Sequence, residues 1–180
     1  MFLPLIEKRR SIRKFKDQQV EDEKVETLVE VALRSPSSMG RNPWEFIVID
    51  DRDYLIKLSQ SKPHGSSFLK GAPLGIVVCG EPAKCDVWVE DCSIASIFIH
   101  LAAESLGLGS CWIQIRERMH NEEQTAGAYV SQLLNIPEHL EVESIVAVGY
   151  PDEQKPGHNK EGLLYDRVHW NAYGRKWEGD

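Results

Sequence analysis

The stretch WVEDCSIASIFIHLAAESL, residues 88–106, constrains the fold more than any other part of this 180-residue chain. Between Asp91 and Glu104 it contains no Asp, Glu, Lys or Arg, and its apolar side chains fall on all sides of a helix. A helix without a polar face must be covered on every side, and the sheet of so small a domain covers only part of it. We therefore expect a central helix, ended by a left-handed glycine in Gly107-Leu108-Gly109, and a homodimer whose second chain covers the rest.

The segments around this helix predict a single domain, residues 1–180, of mixed α/β or α+β architecture. Apolar residues at helical spacing mark the helices, and short runs rich in β-branched side chains mark the strands. The expected helices are residues 21–34, 51–59 and 122–134, and the expected strands are residues 44–49, 74–79, 110–115 and 142–148.

The C-terminal stretch, residues 152–180, is polar but keeps apolar anchors that a disordered tail would lack. We therefore expect this tail to pack, on the partner subunit in particular. The anchors are Leu163, Leu164, Tyr165, Val168, Trp170, Tyr173 and Trp177.

Composition argues against a nucleic-acid or membrane partner. Lys and Arg number 21 and Asp and Glu 28, a net charge of −7, whereas a DNA-binding domain normally presents a basic surface. No apolar run approaches the ~20 residues that cross a bilayer, and residues 1–10 do not resemble a signal peptide. We expect a soluble, cytoplasmic protein. Cys79, Cys85, Cys92 and Cys111 lack the spacing of a zinc site or a disulfide framework, so we expect reduced thiols and no metal.

Six of the 21 basic residues lie within nine positions, residues 8–16. Within them, RRSIR (residues 9–13) supplies three guanidinium groups and a hydroxyl. This set suits a phosphate, because each guanidinium presents a planar fork to two oxygens and a phosphate monoester is nearly dianionic at neutral pH. The alternative is a solvated basic face at the C-terminal end of a short helix, where the helix dipole favours cations.

Two further stretches are candidates for ligand binding. SPSSMGRNPW (residues 35–44) offers hydroxyls, an amide and a glycine that suit a polar heterocycle, although ordinary turns have the same composition. LGLGSCWIQ (residues 106–114) contains neither a dinucleotide fingerprint nor a P-loop. Taken alone, it predicts a helix cap followed by a core strand.

Taken together, these three stretches resemble the FMN-dependent nitroreductases, and the resemblance extends from about residue 5 to residue 173. Its markers are RRSIR, then SPSS leading to PWEF (residues 43–46), then LGLGSCWI (residues 106–113). The resemblance implies an α+β, nitroreductase-like fold with a central mixed, mainly antiparallel sheet flanked by helices. It also implies an intertwined homodimer with two FMN sites at the interface, each built from both chains.

The resemblance further implies which groups hold the cofactor. The arginine cluster binds the phosphate and ribityl chain, and its last member, Arg13, lies near the N1–C2 carbonyl edge of the flavin. Residues 36–42 come from the other subunit, and the backbone of residues 112–114 lies along the ring and offers a donor near N5. A basic tail residue, Lys155 or alternatively Lys160, completes the phosphate site. The full set is Arg9, Arg10, Ser11, Arg13, Pro36, Ser37, Ser38, Asn42, Trp112, Ile113, Gln114 and Lys155.

Three positions depart from the family pattern. Many members carry Asn where Gly40 stands and Gln where Asn42 stands, which changes the hydrogen bonds expected at the flavin edge. Gln114 occupies a position that is acidic in some members, and a neutral amide there alters the flavin potential or the choice of substrate.

The reaction implied by the resemblance is hydride transfer from NADH or NADPH to FMN, followed by reduction of a nitroaromatic, a quinone or a similar conjugated acceptor. Donor and acceptor would bind in turn to the same face of the flavin, which implies ping-pong kinetics. The cofactor carries the chemistry, so no protein nucleophile is expected, and Arg13 stabilises negative charge near N1. The alternatives are a relative that dehalogenates substrates or fragments flavin, a flavin-storage protein, and an interaction domain with a basic arm.

Overall fold

The computed structural model describes residues 2–176, in which α-helices pack on both faces of one four-stranded sheet. The helices are α1 (Phe2–Lys8), α2 (Asp22–Leu33), α3 (Arg52–Leu58), α4 (Trp88–Ser105) and α5 (Ala126–Leu134). The strands are β1 (Trp44–Ile49), β2 (Leu74–Gly80), β3 (Gly109–Gln114) and β4 (Glu141–Gly149).

The strand order is β1-β2-β4-β3, and each pair of neighbours is antiparallel. One isolated parallel bridge, between Ser11 and Ser110, attaches the N-terminal segment to the edge of β3, while the four-stranded sheet itself is antiparallel throughout rather than mixed. The α+β prediction is confirmed. β2 and β4 are buried along almost their whole length because successive side chains enter opposite faces of the sheet, and both faces are covered.

Two apolar layers form the core. On one face of the sheet α2 and α4 pack through residues such as Leu28, Ile99 and Val146. On the other face α3 and α5 pack through residues such as Leu58, Val130 and Ile145. All four cysteines are buried and none forms a disulfide, as predicted.

The predicted helix bounds hold to within one residue, with one correction. Helix α5 begins at Ala126 rather than at residue 122, because the Thr125 side chain accepts the Ala128 N–H and caps the helix there. The preceding residues form a turn in which the Asn121 side chain accepts the Glu123 and Gln124 N–H groups. Asn and Thr compete for local backbone donors in this way and set helix starts.

Within one chain, α4 is covered on most but not all of its circumference. Ile99 and Ala103 are fully buried, whereas Ile97 is 41% exposed. The incompletely covered residues share helical spacing and so form one stripe: Ile94, Ile97, Phe98 and Leu101. Gly107, with φ of 74°, ends the helical region in the left-handed conformation that was expected. Among residues 2–176 no helix combines the length and apolarity needed to cross a membrane.

The C-terminal tail begins by packing on its own chain. The Asp152 N–H donates to the Lys14 carbonyl, and the His158 N–H donates to the Glu7 carbonyl. Beyond this point most of the predicted anchors are exposed, and Tyr173 is 93% exposed. The anchor Trp177 lies outside the described residues.

Candidate functional site

The basic segment, residues 9–16, lies along the outer edge of β3. The Ile12 N–H donates to the Ser110 carbonyl at 2.9 Å, and the Lys16 N–H donates to the Tyr150 carbonyl at 2.9 Å. Gly109 permits this approach, since a Cβ on Gly109 would lie 2.8 Å from the Ile12 side chain. The backbone of the arginine cluster is therefore held by the sheet.

Glu153 and Lys155 fasten the same segment from the tail. The Lys155 Nζ donates to the Ser11 carbonyl at 2.6 Å and pairs with Glu153 at 3.1 Å. The Glu153 carboxylate also accepts the N–H groups of Arg13, at 2.5 Å, and Lys14, at 3.2 Å. The Arg13 hydrogen bond is the main reason that the pKa of Glu153 lies below its usual range. Sequence reasoning missed Glu153, whose only signal was its place two residues before Lys155.

The structure separates the two tail lysines. Lys155 reaches the arginine cluster, whereas Lys160 lies beside α1 in a groove that also includes Pro4 and Glu7. Near Lys155, a cavity of about 310 Å³ includes Arg10 and Gly109 in its lining. The Arg10 guanidinium hydrogen-bonds to the Pro156 carbonyl, so part of its donor capacity is used within the chain.

A buried histidine lies beneath the arginine cluster. His100 of α4 shares a hydrogen bond with the Ser110 hydroxyl, at 2.7 Å between Nδ1 and Oγ. Burial, with the positive charge of Arg9, lowers the pKa of His100 to about 4. His100 is therefore neutral near pH 7 and adds no charge to the cationic cluster. Sequence reasoning missed it because it lies inside the apolar run that predicted the helix.

Cys111 follows Ser110 on β3, and its side chain therefore lies on the opposite face of the sheet. Burial raises the pKa of the Cys111 thiol, while the charges of Arg13 and Lys155 and a hydrogen bond with Ser11 oppose the rise. The thiol is therefore protonated at neutral pH.

Lys62 lies in the loop that follows α3. Burial lowers the pKa of Lys62, and the charge of Arg118 lowers it further. Beside this loop, the Arg13 guanidinium carbon lies 5.7 Å from the centroid of the Phe68 ring. Lys62 and Arg118 were not singled out from the sequence, because each is an isolated cation in its own loop.

The free edge of β3 supplies the third group of predicted residues. Because the Ser110 carbonyl faces away from β4 and antiparallel strands alternate with a period of two, the backbone groups of Trp112 and Gln114 also face outward. Ile113 is fully buried and its backbone groups face β4. The Trp112 Nε1 donates to the Gln114 Oε1 at 3.0 Å, and the Gln114 amide nitrogen donates to the Arg116 carbonyl.

The loop of residues 35–42 is held at the N-terminal end of α4. Asp91, in the first turn of that helix, is buried and accepts the Ser38 N–H at 2.9 Å. Ser37 closes the loop, since its hydroxyl donates to the Asn42 side-chain oxygen and accepts the Asn42 N–H. Gly40, at φ of 66°, adopts the left-handed region that glycine occupies without strain. Asn in place of Gly40, the residue of many family members, also tolerates this conformation.

The predicted site residues outside β3 therefore form two groups within one chain. The first group, with Arg9 to Arg13 and Lys155, adjoins the C-terminal half of α4. The second, residues 36–42, is fastened to Asp91 at its N-terminal end. Asp91 and Glu104 are thirteen residues apart, or about 20 Å along a helix. No hydrogen bond or ion pair among residues 2–176 joins residues 36–42 to residues 9–13.

Comparisons with known proteins agree on one family. The Nitroreductase family model matches residues 6–64 and 51–150. A relative from Archaeoglobus fulgidus, named "Putative NADH dehydrogenase/NAD(P)H nitroreductase", is 39% identical over 172 residues, which cover 93% of this chain and 95% of that protein. An FMN-dependent nitroreductase structure from Clostridium difficile R20291 is 48% identical, with a TM-score of 0.93, and covers 94% of this chain and 98% of that one.

A more distant relative, an iodotyrosine deiodinase from Thermotoga neapolitana, is 26% identical and covers 96% of this chain and 99% of that protein. Its alignment runs over 205 positions, more than the 180 residues of this chain. The deiodinase therefore carries segments that this chain lacks.

This chain belongs to the nitroreductase family. The family predicted from RRSIR, SPSS and LGLGSCWI is thus confirmed, and so is its fold.

Proposed function

We propose that the protein is an FMN-dependent NAD(P)H oxidoreductase that reduces nitroaromatics, quinones or similar conjugated acceptors. The observation that carries the proposal is the arginine cluster fastened to the edge of β3 by Ser110, Glu153 and Lys155. The nitroreductase from Clostridium difficile, at 48% identity, supports FMN as the cofactor.

The residues present fit the phosphate of FMN. Arg9, Ser11 and Lys155 supply guanidinium, hydroxyl and ammonium donors, the donor types that bind a phosphate most strongly. Glu153 contributes one negative charge to this group, but it accepts two backbone N–H groups and pairs with Lys155. Its role in the proposal is to hold Arg13 and Lys155 in place.

The edge of β3 fits the flavin ring. Trp112 and Gln114 turn their backbone groups outward, so each offers a peptide N–H and C=O along an unpaired strand edge. The side chain of Ile113 is buried, so we propose that Ile113 supports the edge from within the sheet. Bound FMN would supply the two-electron redox chemistry that the side chains lack.

Arg13 is the residue to which we assign electrostatic support. Its backbone is fixed by Glu153, while its side chain is exposed beside Phe68. A fixed positive charge in this position favours negative charge that develops at the pyrimidine edge of a flavin. No side chain is assigned a nucleophilic or general-base role.

We propose that residues 36–42 complete the site of a second copy of the chain. Two observations support a homodimer. The first is the incompletely covered apolar stripe of α4, and the second is the set of exposed apolar residues in α1 and in the tail, for example Phe2, Leu3 and Leu164. The loop that contains Ser37 and Asn42 lies at the opposite end of α4 from the arginine cluster, so a second chain would bring it to the phosphate-bearing half.

The test is an anaerobic titration of the purified, FMN-loaded protein with NADH and with NADPH, followed by a nitroaromatic and a quinone. We expect the yellow colour to bleach and then to return with either acceptor, with parallel double-reciprocal plots because donor and acceptor use one site in turn. A yellow protein that neither nucleotide bleaches would support flavin storage instead. Reductive release of halide without nitro reduction would support the dehalogenase alternative, against which the shorter chain argues.

A further inference from the structure

Two loops beside the proposed flavin site are joined into one rigid rim. One follows α3 (residues 59–66) and the other follows β3 (residues 115–125). His120 Nδ1 lies 2.9 Å from the Gln60 carbonyl oxygen, which ties the loops together. The His120 ring also stacks on Tyr129, with centroids 4.1 Å apart, and the Tyr129 hydroxyl donates to the Lys57 carbonyl.

Each loop presents a cation without a carboxylate partner. Among residues 2–176, neither Lys62 nor Arg118 has a carboxylate oxygen within 4.0 Å. Arg116, by contrast, pairs with Glu117 at 3.0 Å. Residues 60–71 contain no Asp or Glu at all.

The two cations flank the contact that ties the loops, since Lys62 lies two residues after Gln60 and Arg118 two residues before His120. The charge of Arg118 lowers the pKa of Lys62, in addition to the effect of burial. Two like charges on one tied pair of loops repel each other, and an anion bound between them would relieve this repulsion. Their arrangement therefore favours a negatively charged ligand.

The rim adjoins the cofactor site rather than lying elsewhere on the surface. The loop of residues 115–125 begins directly after Gln114 at the end of β3, and Phe68, which follows the loop of residues 59–66, lies against Arg13 with the guanidinium carbon 5.7 Å from the ring centroid. The phosphate assigned to the arginine cluster already has Lys155 and the arginines as partners. Lys62 and Arg118 lie on other segments. The Arg118 Nη1 donates to the Glu117 carbonyl at 3.0 Å, and its remaining donors and the Lys62 ammonium are the groups we assign to a second molecule.

We propose that Lys62 and Arg118 bind an anionic group of the substrate that occupies the proposed flavin site. This inference rests on the proposed function and specifies its substrate class. Arg offers a planar fork and Lys a compact charge, which together suit a carboxylate or a phosphate. The anion is either the carboxylate of an electron acceptor or the 2′-phosphate of NADPH.

The experiment compares kcat/KM for 4-nitrobenzoate with that for 4-nitrobenzamide, which differ in charge but share the reducible group. A second arm compares NADPH with NADH. Both ratios are measured for the FMN-loaded wild type, for Lys62→Gln/Arg118→Gln, and for Lys57→Gln/Arg52→Gln. The last variant loses the same net charge from the neighbouring helix α3 and serves as the matched control.

We expect the wild type and the control to have the same ratio of kcat/KM for the anionic compound to that for its neutral partner, and this ratio favours the anion. In the Lys62→Gln/Arg118→Gln variant the ratio should fall about tenfold. Added salt should lower the preference of the wild type, since the rim is partly exposed. A fall in the benzoate ratio alone identifies the acceptor as the anion, and a fall in the NADPH ratio alone identifies the nucleotide.

Unchanged ratios in a yellow, active variant would overturn the inference and leave the proposed function intact. A wild type that binds FMN but reduces neither compound would overturn the proposed function. Dissociation constants from the flavin absorbance would then still decide the inference, because equal affinity of wild type and variant for 4-nitrobenzoate would contradict it.

Discussion

The two ends of α4 carry opposite electrostatic arrangements. At the C-terminal end, Glu104 pairs with Lys8 at 3.2 Å, and His100 is held neutral beside Arg9. At the N-terminal end, Asp91 accepts the Ser38 N–H and lies 3.4 Å from the Cys85 sulfur, and no lysine or arginine pairs with it among the described residues. The helix dipole favours cations at the first end and anions at the second.

This difference explains how one helix organises two kinds of site. Cations gather where the helix dipole stabilises them, and there the chain presents the donors assigned to a phosphate. At the opposite end a buried carboxylate holds a loop whose predicted polar site residues, Ser37, Ser38 and Asn42, carry neutral hydroxyls and an amide. The predictions below test whether these two ends act as the two halves of one shared site.

The largest effect on FMN binding should come from removing two guanidinium groups near the C-terminal end of α4. We expect Arg9→Ala/Arg13→Ala to weaken FMN binding more than a hundredfold while the dimer persists, since each charged hydrogen bond is worth ~1.5–3 kcal/mol. The measurement is the ratio of flavin to protein absorbance after gel filtration.

A matched control is Lys14→Ala/Lys16→Ala, which removes the same net charge from the same segment. Both of these lysines are exposed, and their backbone bonds to the sheet remain. Full FMN occupancy in Arg9→Ala/Arg13→Ala, or equal loss in the control, would break the assignment of the phosphate to the arginine cluster.

The next effect is a difference in the pH dependence of stability between two buried groups, His100 and Glu143. Burial lowers the pKa of His100 from 6.5 to about 4, so its contribution to stability is present above pH 6.5 and is lost as the pH falls towards 4. Burial raises the pKa of Glu143, near Cys92 and Arg116, from 4.5 to about 7. Its contribution is present below pH 4.5 and is lost as the pH rises through 7. Each amounts to at most about 3 kcal/mol.

Between pH 4.5 and 6.5 the two contributions therefore oppose each other. Glu143→Gln should make the free energy of unfolding rise more steeply with pH, and His100→Gln should make it fall with pH. Urea unfolding at fixed FMN concentration across this range measures both slopes. Curves parallel to that of the wild type would show that these groups titrate alike in the folded and unfolded states.

The smallest effect distinguishes the two tail lysines. Lys155→Met should weaken FMN binding about tenfold, because one charge-assisted contact is lost. Lys160→Met, the matched control, should leave it unchanged, since Lys160 lies beside α1. Equal effects of the two substitutions on the FMN dissociation constant would remove Lys155 from the site.

Much of the fold was predictable from local patterns. The bounds of β1, and those of α4 to within one residue, followed from apolar runs and from the glycine that ends the helix. The predicted start of α5, residue 122, was wrong, since the helix begins at Ala126. The local hydrogen bonds of Asn121 and Thr125 decided the boundary instead.

The candidate site was predictable where its residues are contiguous in sequence and hidden where they are not. RRSIR and SPSS carried the family resemblance, and Lys155 was preferred to Lys160 without a geometric reason. Glu153, His100 and Asp91 act on these segments through long-range contacts. Such contacts leave no local pattern in the sequence, where Glu153 and Asp91 look like ordinary charged residues and His100 is one residue of an apolar helix.

The most direct test of the shared site is subunit complementation. Arg9→Ala/Arg13→Ala disables one half, and Ser37→Asp/Ser38→Asp places negative charge in the other, where it would repel the FMN phosphate. We expect each variant alone to purify without FMN. When the two are co-expressed with different affinity tags, random pairing into two-fold dimers should restore about a quarter of the wild-type flavin content, with reductase activity in the same proportion. Colourless mixed dimers would contradict a site built from both chains.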